Sequence, residues 1–191
     1  MKFNGEYKSM QPIRRLMQNL DKLANAEHYL FTPDDLRALL PDLTDSAFNT
    51  LLCRVSKDQQ LTRLCRGLYF FEKVAPISGL LLFHAAARLR ADCLNYISLE
   101  TVLSDAGVIS QIPINHITVM SSGRSSVISC GRWGTIEFVR TRQKPQDLEK
   151  QIYYDARCKL WRATVPQALR DMRVTHRNTD LIDWSVANEF V

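Results

Sequence analysis

Residues 44–71 read TDSAFNTLLCRVSKDQQLTRLCRGLYFF, and the fold turns on how this stretch is parsed. Its first half places apolar residues at Phe48, Leu51, Leu52 and Val55, the i, i+3, i+4, i+7 spacing of one helix face. Thr44 suits the N-cap, because its hydroxyl can accept from a free amide of the first turn. Turning about 100° per residue, the opposite face carries Ser46, Asn49, Thr50, Cys53, Arg54 and Lys57, with no carboxylate among them. Short polar side chains with two cations suit a major groove, where Asn pairs with adenine and Arg with guanine. Two short β-prone runs follow, Leu61–Cys65 and Leu68–Phe71, joined across Arg66-Gly67, with Arg63 and Arg66 at the turn end. A helix followed by a basic hairpin predicts a winged helix-turn-helix, with a recognition helix near 45–59.

The solvated face of any core helix could look similar, and charge separates the two readings. Residues 27–45 carry five acids (Glu27, Asp34, Asp35, Asp42, Asp45) against Arg37 alone. Residues 46–71 carry four bases (Arg54, Lys57, Arg63, Arg66) against Asp58 alone. The positive end coincides with the helix and hairpin that would meet phosphate. Ser46, Asn49, Thr50, Arg54, Lys57, Arg63 and Arg66 are therefore the candidate contacts to duplex DNA.

Working outward, residues 1–10 read as a flexible arm and 11–73 as the winged-helix domain. Gln11–Ala26 has a helical stripe, Tyr29–Phe31 is extended, and Thr32-Pro33-Asp34-Asp35 is a helix start, with Thr as cap and Pro at the first position. Lys73–Pro76 breaks the pattern, and a second domain is expected over 77–191. It opens with an apolar helix over 78–90. Asn95–Ser98 is β-like, and Ser98 is the expected N-cap of a helix ending at Gly107. Period-two patterning then marks strands over 116–120, 126–130 and 135–140, with turns at Ser122-Gly123-Arg124 and Gly131-Arg132-Trp133-Gly134. Helices are expected over 147–160 and 164–172. The fold class is thus α+β: a winged helix-turn-helix, then a small α/β domain with a short antiparallel sheet and flanking helices. Over 116–144, Arg124, Arg132, Arg140, Arg142 and Lys144 face the single acid Glu137, a second candidate contact surface or a solubilising rim.

Composition sets the outer limits. The 191 residues are 46% apolar with net charge +5, an ordinary globular balance that permits a nucleic-acid partner. No signal peptide or membrane span is read, so the expectation is cytoplasmic, without a membrane partner. Five scattered cysteines without C-x-x-C suggest free thiols in a reducing compartment rather than disulfides or zinc.

Four segments resemble the AbiEi-type antitoxins of type IV toxin–antitoxin systems. Leu61–Phe70 (LTRLCRGLYF) is similar to that family's I-x-R-L-x-R-G-x-Y wing, and Tyr96–Gly107 (YISLETVLSDAG) to its Y-V-S-L-x-x-A-L-x-x-x-G helix. Ile117–Val139 resembles its strand, G-R turn, strand and G-x-I-x-F hairpin, and Arg162–Asp171 (RATVPQALRD) its A-x-P-x-x-A-L-x-D helix. The likeness spans about residues 30–172, and the chain stops sooner after the last helix than longer relatives do. It implies a winged helix followed by an α/β antitoxin domain. The implied function is autorepression at operator DNA, with neutralisation of a co-encoded nucleotidyltransferase-like toxin that needs no stable complex. The alternative is a plain winged-helix regulator whose C-terminal domain binds a ligand or dimerises.

Little in the chain points to catalysis. Neither G-x-x-x-x-G-K-[ST] nor G-x-G-x-x-G occurs, so no phosphate-cradling loop is visible. Ser121, Ser122, Ser125 and Ser126 cluster without a G-x-S-x-G elbow, which suits a turn. A divalent-metal nuclease would need paired acids and a lysine; the chain offers Glu137-Phe138-Val139-Arg140 with no acid on the strand before it. The expectation is a binding protein with no enzyme activity, metal or cofactor.

Overall fold

The computed structural model describes residues 11–76, 79–110 and 115–190; the arm expected over 1–10 lies outside them. The chain divides into two compact units, Met1–Ser78 and Gly79–Val191.

The first unit has the element order of a winged helix: α1 (Pro12–Leu23), β1 (Leu30–Phe31), α2 (Pro33–Ala38), α3 (Asp45–Lys57), β2 (Thr62–Cys65) and β3 (Leu68–Phe70). β3 is central in an antiparallel β1-β3-β2 sheet. Thr32 caps α2 through a reciprocal box, its Oγ1 accepting from the Asp35 amide while the Asp35 carboxylate accepts from the Thr32 amide at 2.7 Å. Thr44 Oγ1 accepts from the Ala47 amide and caps α3. The stripe Phe48, Leu51, Leu52 and Val55 is buried against Leu16 and Leu20 of α1, Phe31 of β1, and Leu36 and Leu40. Between β2 and β3 the chain turns at Arg66-Gly67, where Gly67 adopts φ +82°, a conformation that a side chain would strain.

The second unit is built on a mixed six-stranded sheet, order β6-β7-β5-β4-β9-β8. Its elements are α4 (Leu81–Leu89), β4 (Asn95–Ile97), α5 (Leu99–Asp105), β5 (His116–Ser121), β6 (Ser126–Ser129), β7 (Thr135–Arg140), α6 (Pro145–Leu148), β8 (Ile152–Asp155), β9 (Leu160–Ala163), α7 (Val165–Val174) and α8 (Trp184–Ala187). The α+β class is as expected, on a wider sheet than the short antiparallel one.

Three local expectations are corrected. Strands β5 and β6 do not pair across Ser122-Gly123-Arg124: β7 lies between them, parallel to β5 and antiparallel to β6. Period-two patterning marks a strand but is silent on its neighbour. Residues 147–160 are mostly hairpin, because Ile152-Tyr153-Tyr154 is β-branched and aromatic and Asp155 nucleates a turn. Its Oδ1 accepts from the amides of Arg157 and Cys158 at 3.0 and 3.3 Å, and Lys159 takes φ +56°. Finally, Ser98 precedes α5 without capping it. With Leu99 at φ +57°, the first turn is capped instead by Thr118 of β5, whose Oγ1 accepts from the Thr101 amide at 3.2 Å.

The Ser98 hydroxyl serves a buried network. It donates to Asp171 Oδ2 at 2.7 Å, while the Gln143 and Gln167 side-chain amides each donate to Oδ1 at 2.8 Å. Gln143 Nε2 also reaches the Tyr96 hydroxyl at 3.3 Å. Asp171, Gln167, Ser98 and Tyr96 are fully enclosed. Burial pushes the Asp171 carboxyl above its ordinary value, against the donors of Ser98, Gln143, Tyr96 and Gln167. Three motif residues of the resemblance (Tyr96, Ser98, Asp171) thus converge from β4 and α7 in one cluster.

Phe48→Ala is expected to cost about 3–5 kcal/mol in denaturant unfolding, as deletion of a buried aromatic. For Asp171 the raised pKa means that the folded chain binds a proton more tightly than the unfolded one. Its stabilising contribution is full below the unfolded value and is lost as pH rises through the folded one. The stability of the wild type relative to Asp171→Asn should therefore fall from about pH 4 to pH 7, measured by urea titration at both ends; a constant difference would refute it.

Candidate nucleic-acid interface

Burial of its apolar stripe turns the rest of α3 outward. Ser46, Asn49, Thr50, Cys53, Arg54 and Lys57 are exposed. Thr50 Oγ1 donates to the Ser46 carbonyl at 2.9 Å, so toward a ligand it acts as an acceptor. Arg63 and Arg66 are exposed on the hairpin. Arg63 lies opposite Tyr69 in the β2–β3 ladder. Burial pushes the Tyr69 phenol up, and the Arg63 charge opposes that.

The acids of the unit are largely engaged. Buried Arg15 of α1 grips Asp42 bidentately, at 2.7 and 2.6 Å. Arg37 pairs with Asp45 at 3.5 Å, donates to the carbonyls of Leu40 and Leu43, and lies over the Phe48 ring. Asp35 is held in the α2 cap, and Asp21 pairs with Lys73 at 2.6 Å. In contrast, Arg54, Lys57, Arg63 and Arg66 form no ion pair among the described residues. Asp35, Asp42 and Asp45 of the acidic segment thus have partners within the unit, while the cations of the basic segment are left to solvent.

Charge reading did not mark the open groove beside α3. About 470 Å³ in volume, it is lined by Gln11, Pro12 and Ile13, by Leu43, and by Ala47, Thr50, Leu51 and Arg54 of α3. Its apolar walls sit against two candidate contacts, Thr50 and Arg54. The signal in the sequence was Ala47, a small residue on the polar face.

In the second unit Arg124, Arg132, Arg140, Arg142 and Lys144 are all exposed, but they form no single patch. β5 and β7 run parallel with Ser121 opposite Arg140, and the Arg140 amide donates to Ser125 Oγ at 3.0 Å. Arg124 and Arg140 therefore share one end of the sheet, and Arg142 and Lys144 continue from it. Arg132 lies in the β6–β7 turn at the other end, roughly 17–20 Å away along six residues of β7, with its guanidinium over the Trp133 ring at 4.5 Å. That turn is fixed by Gly134, φ +122°, where a Cβ would fall 1.9 Å from the Asn115 carbonyl oxygen.

Other charged groups of this unit brace the fold. Arg162 of β9 binds Asp105 at 2.6 Å and Asp155 at 3.0 Å. Arg177 joins Glu137 and Glu100, and His116 Nε2 stands 3.3 Å from Glu137. Glu137, the one acid near the basic cluster in sequence, is thereby occupied. Among the described residues no group of His, Cys, Asp and Glu could hold a metal ion, the cysteines form no disulfide, and no helix is long and apolar enough to cross a membrane.

No family model matches the chain, and no curated protein is similar to it. Among solved structures it is similar to the RV2827C protein from Mycobacterium tuberculosis, at 12% identity and a TM-score of 0.48, over 71% of this chain and 47% of that one. The chain spans about half the length of that protein.

Proposed function

We propose that this chain is an AbiEi-like type IV antitoxin. It binds operator DNA through α3 and the β2–β3 wing as an autorepressor and counteracts a co-encoded nucleotidyltransferase-like toxin, acting by binding rather than catalysis. The observation that supports this most is the set of four exposed cations on α3 and the wing without carboxylate partners, in a unit whose acids are largely engaged elsewhere. In this reading Asn49 and Arg54 reach base edges, Ser46 and Thr50 flank them, and Lys57, Arg63 and Arg66 meet phosphate. The antitoxin part rests on the motif resemblance and is assigned to the second unit.

Three phosphate contacts would give log K against log salt a slope of about −2.7. In fluorescence anisotropy on a duplex from upstream of its own reading frame, Arg63→Ala/Arg66→Ala should weaken binding to specific and scrambled duplexes alike. The slope should become shallower by about 1.8; an unchanged slope removes the wing from the interface. Asn49→Ala should instead lose about 1–3 kcal/mol of discrimination at one or two base positions with the melting temperature unchanged.

Because the basic residues of the second unit lie at two ends of β7, each end needs its own variant. If the Arg124 end counters the toxin, Arg124→Glu/Arg140→Glu will fail to rescue cells expressing the neighbouring toxin. Arg132→Glu will rescue them, with melting and operator affinity normal in both. Equal rescue by both would move antitoxicity off this surface.

A further inference from the structure

We propose that two copies of this chain pair through the free edge of β8, antiparallel about a two-fold axis at Tyr153, so that the six-stranded sheet of one continues into that of the other. This rests on the second unit and not on the operator-binding reading.

β8 ends its sheet, and among the described residues β9 is its one strand neighbour. The ladder between them decides which backbone groups β8 has left over. Carried on from Ile152 opposite Ala163, the register sets Gln151 opposite Thr164, and the Thr164 amide donates to the Gln151 carbonyl at 2.9 Å. Bonded and non-bonded pairs alternate in an antiparallel ladder. Gln151, Tyr153 and Asp155 therefore bond to β9, while the amides and carbonyls of Ile152 and Tyr154 point to the free side. A row of such groups is a template for another strand, which proteins ordinarily block with lysine, proline or a bulge. Ile152-Tyr153-Tyr154 has no such block. The charge that follows, Asp155, is committed within its own hairpin, to the amides of Arg157 and Cys158 and to Arg162 Nε. The hairpin also exposes three large rings, Tyr153 at 53%, Tyr154 at 54% and Trp161 at 43%. Tyr154 and Trp161 are register partners on one sheet face, with centroids 5.7 Å apart. β6, at the other edge, exposes one large apolar side chain, Val127, between turns that carry Arg124 and Arg132.

Backbone groups and charge together choose a second copy as the occupant. A two-fold at Tyr153 sets Ile152 opposite Tyr154 of the second copy, and the spare amides and carbonyls of both strands satisfy one another. Tyr153 then faces its own copy as a non-bonded pair, the kind in which side chains come closest. On the opposite face Ile152 of the second copy falls in line with Tyr154 and Trp161. Farther out, Glu149 comes opposite Arg157 of the second copy, twice over, and both residues are exposed. A two-fold at Ile152 would instead set Glu149 against Asp155, and one at Tyr154 would set Tyr153 against Asp155. The mixed charge of this edge is thus complementary to itself. A polyanion would meet Glu149 and the exposed Asp92, which lies between two residues lining the cleft beside Tyr154 and Trp161.

The test is sedimentation velocity of the full chain over about 1–100 µM, without DNA, so that its failure leaves the operator reading untouched. The wild type should form dimers with a dissociation constant on the order of 10 µM, as suits a small interface. Tyr153→Glu and Tyr153→Lys should each weaken dimerisation by about tenfold or more, since each sets like charges face to face across the axis. An equimolar mixture of the two should restore it. Tyr154→Pro should also weaken it, because it removes an outward amide and spares the β9 ladder. If a variant at 153 melts below the wild type, an exposed pair decides: Arg157→Glu should weaken dimerisation, and Glu149→Arg in the same chain should restore it. The proposal is overturned if the wild type stays monomeric over the whole range, or if Tyr153→Glu associates as the wild type does. It is equally overturned if neither charge reversal is rescued by its complement. Open-ended growth in place of a dimer overturns it by pairing β8 with β6.

Discussion

Burial of Phe48, Leu51, Leu52 and Val55 sets the rotation of α3 about its axis, and what the first unit offers a partner follows from that angle. With those four side chains enclosed, Asn49, Thr50, Cys53 and Arg54 must face outward. A turn of about 100°, one residue's worth, would bury Asn49 and expose Phe48. Large buried apolar groups stabilise by roughly 1.5–3 kcal/mol each, so the stripe outweighs any preference of the polar face. Two ends hold the helix in place along its length: the Thr44 cap at the start, and the backbone bonds from Asp58 and Gln60 back into the last turn, which lead the chain into β2.

The second unit depends on a different constraint. Asp171 is a buried carboxylate with no cation beside it, held by neutral donors from three segments: Ser98 after β4, Gln143 after β7, and Gln167 one turn earlier on α7. Such a group is tolerated only while its donors stay in place, since losing one leaves desolvated charge behind. The network therefore specifies how β4, the segment after β7 and α7 come together, more than it adds to stability. It also has a surface consequence. Gln143 sits between Arg142 and Lys144, and anchoring its amide inside leaves both neighbours outside.

Much of the first unit was legible because its signals are local. Thr32-Pro33, the α3 stripe and Arg66-Gly67 each determine structure within a few residues, and each element lies within two or three residues of its expected bounds. The second unit was legible as elements and less so as a sheet. The strands over 116–140 were visible, yet the parallel pairing of β5 with β7 depends on which hydrophobic face finds which. The residues from 152 to 160 were misread because Asp155 looks like a helix residue until its side chain folds back on the turn amides. Ser98 has the residue type and position of a cap, and only the left-handed Leu99 and the distant Asp171 redirect it. The candidate site shows the same division. Exposure of all seven residues of the α3–wing set follows from local arithmetic, whereas the separation of Arg132 from Arg124 follows from strand order, which the arithmetic does not contain.

Charge itself divides along this line. The chain carries 25 basic residues and a net charge of +5, but its arginines do two different jobs. Arg15, Arg37, Arg162 and Arg177 each lie against carboxylates, and Arg90 lies over the Phe138 ring at 3.9 Å while donating to the Arg124 carbonyl and Ser126 Oγ. These hold elements together, and burial moves the Arg90 guanidinium below its ordinary value without neutralising it. Arg54, Arg63, Arg66, Arg124, Arg140 and Arg142 stand outside, where a guanidinium contributes little to stability and much to the capture of phosphate. Exposed cations of this kind, not the net charge, are what a nucleic acid or an acidic partner would meet. A bracing arginine can also position an exposed one: Arg90 donates to the Arg124 carbonyl and to Ser126 Oγ, so the backbone that carries Arg124 is held by the same guanidinium that covers Phe138.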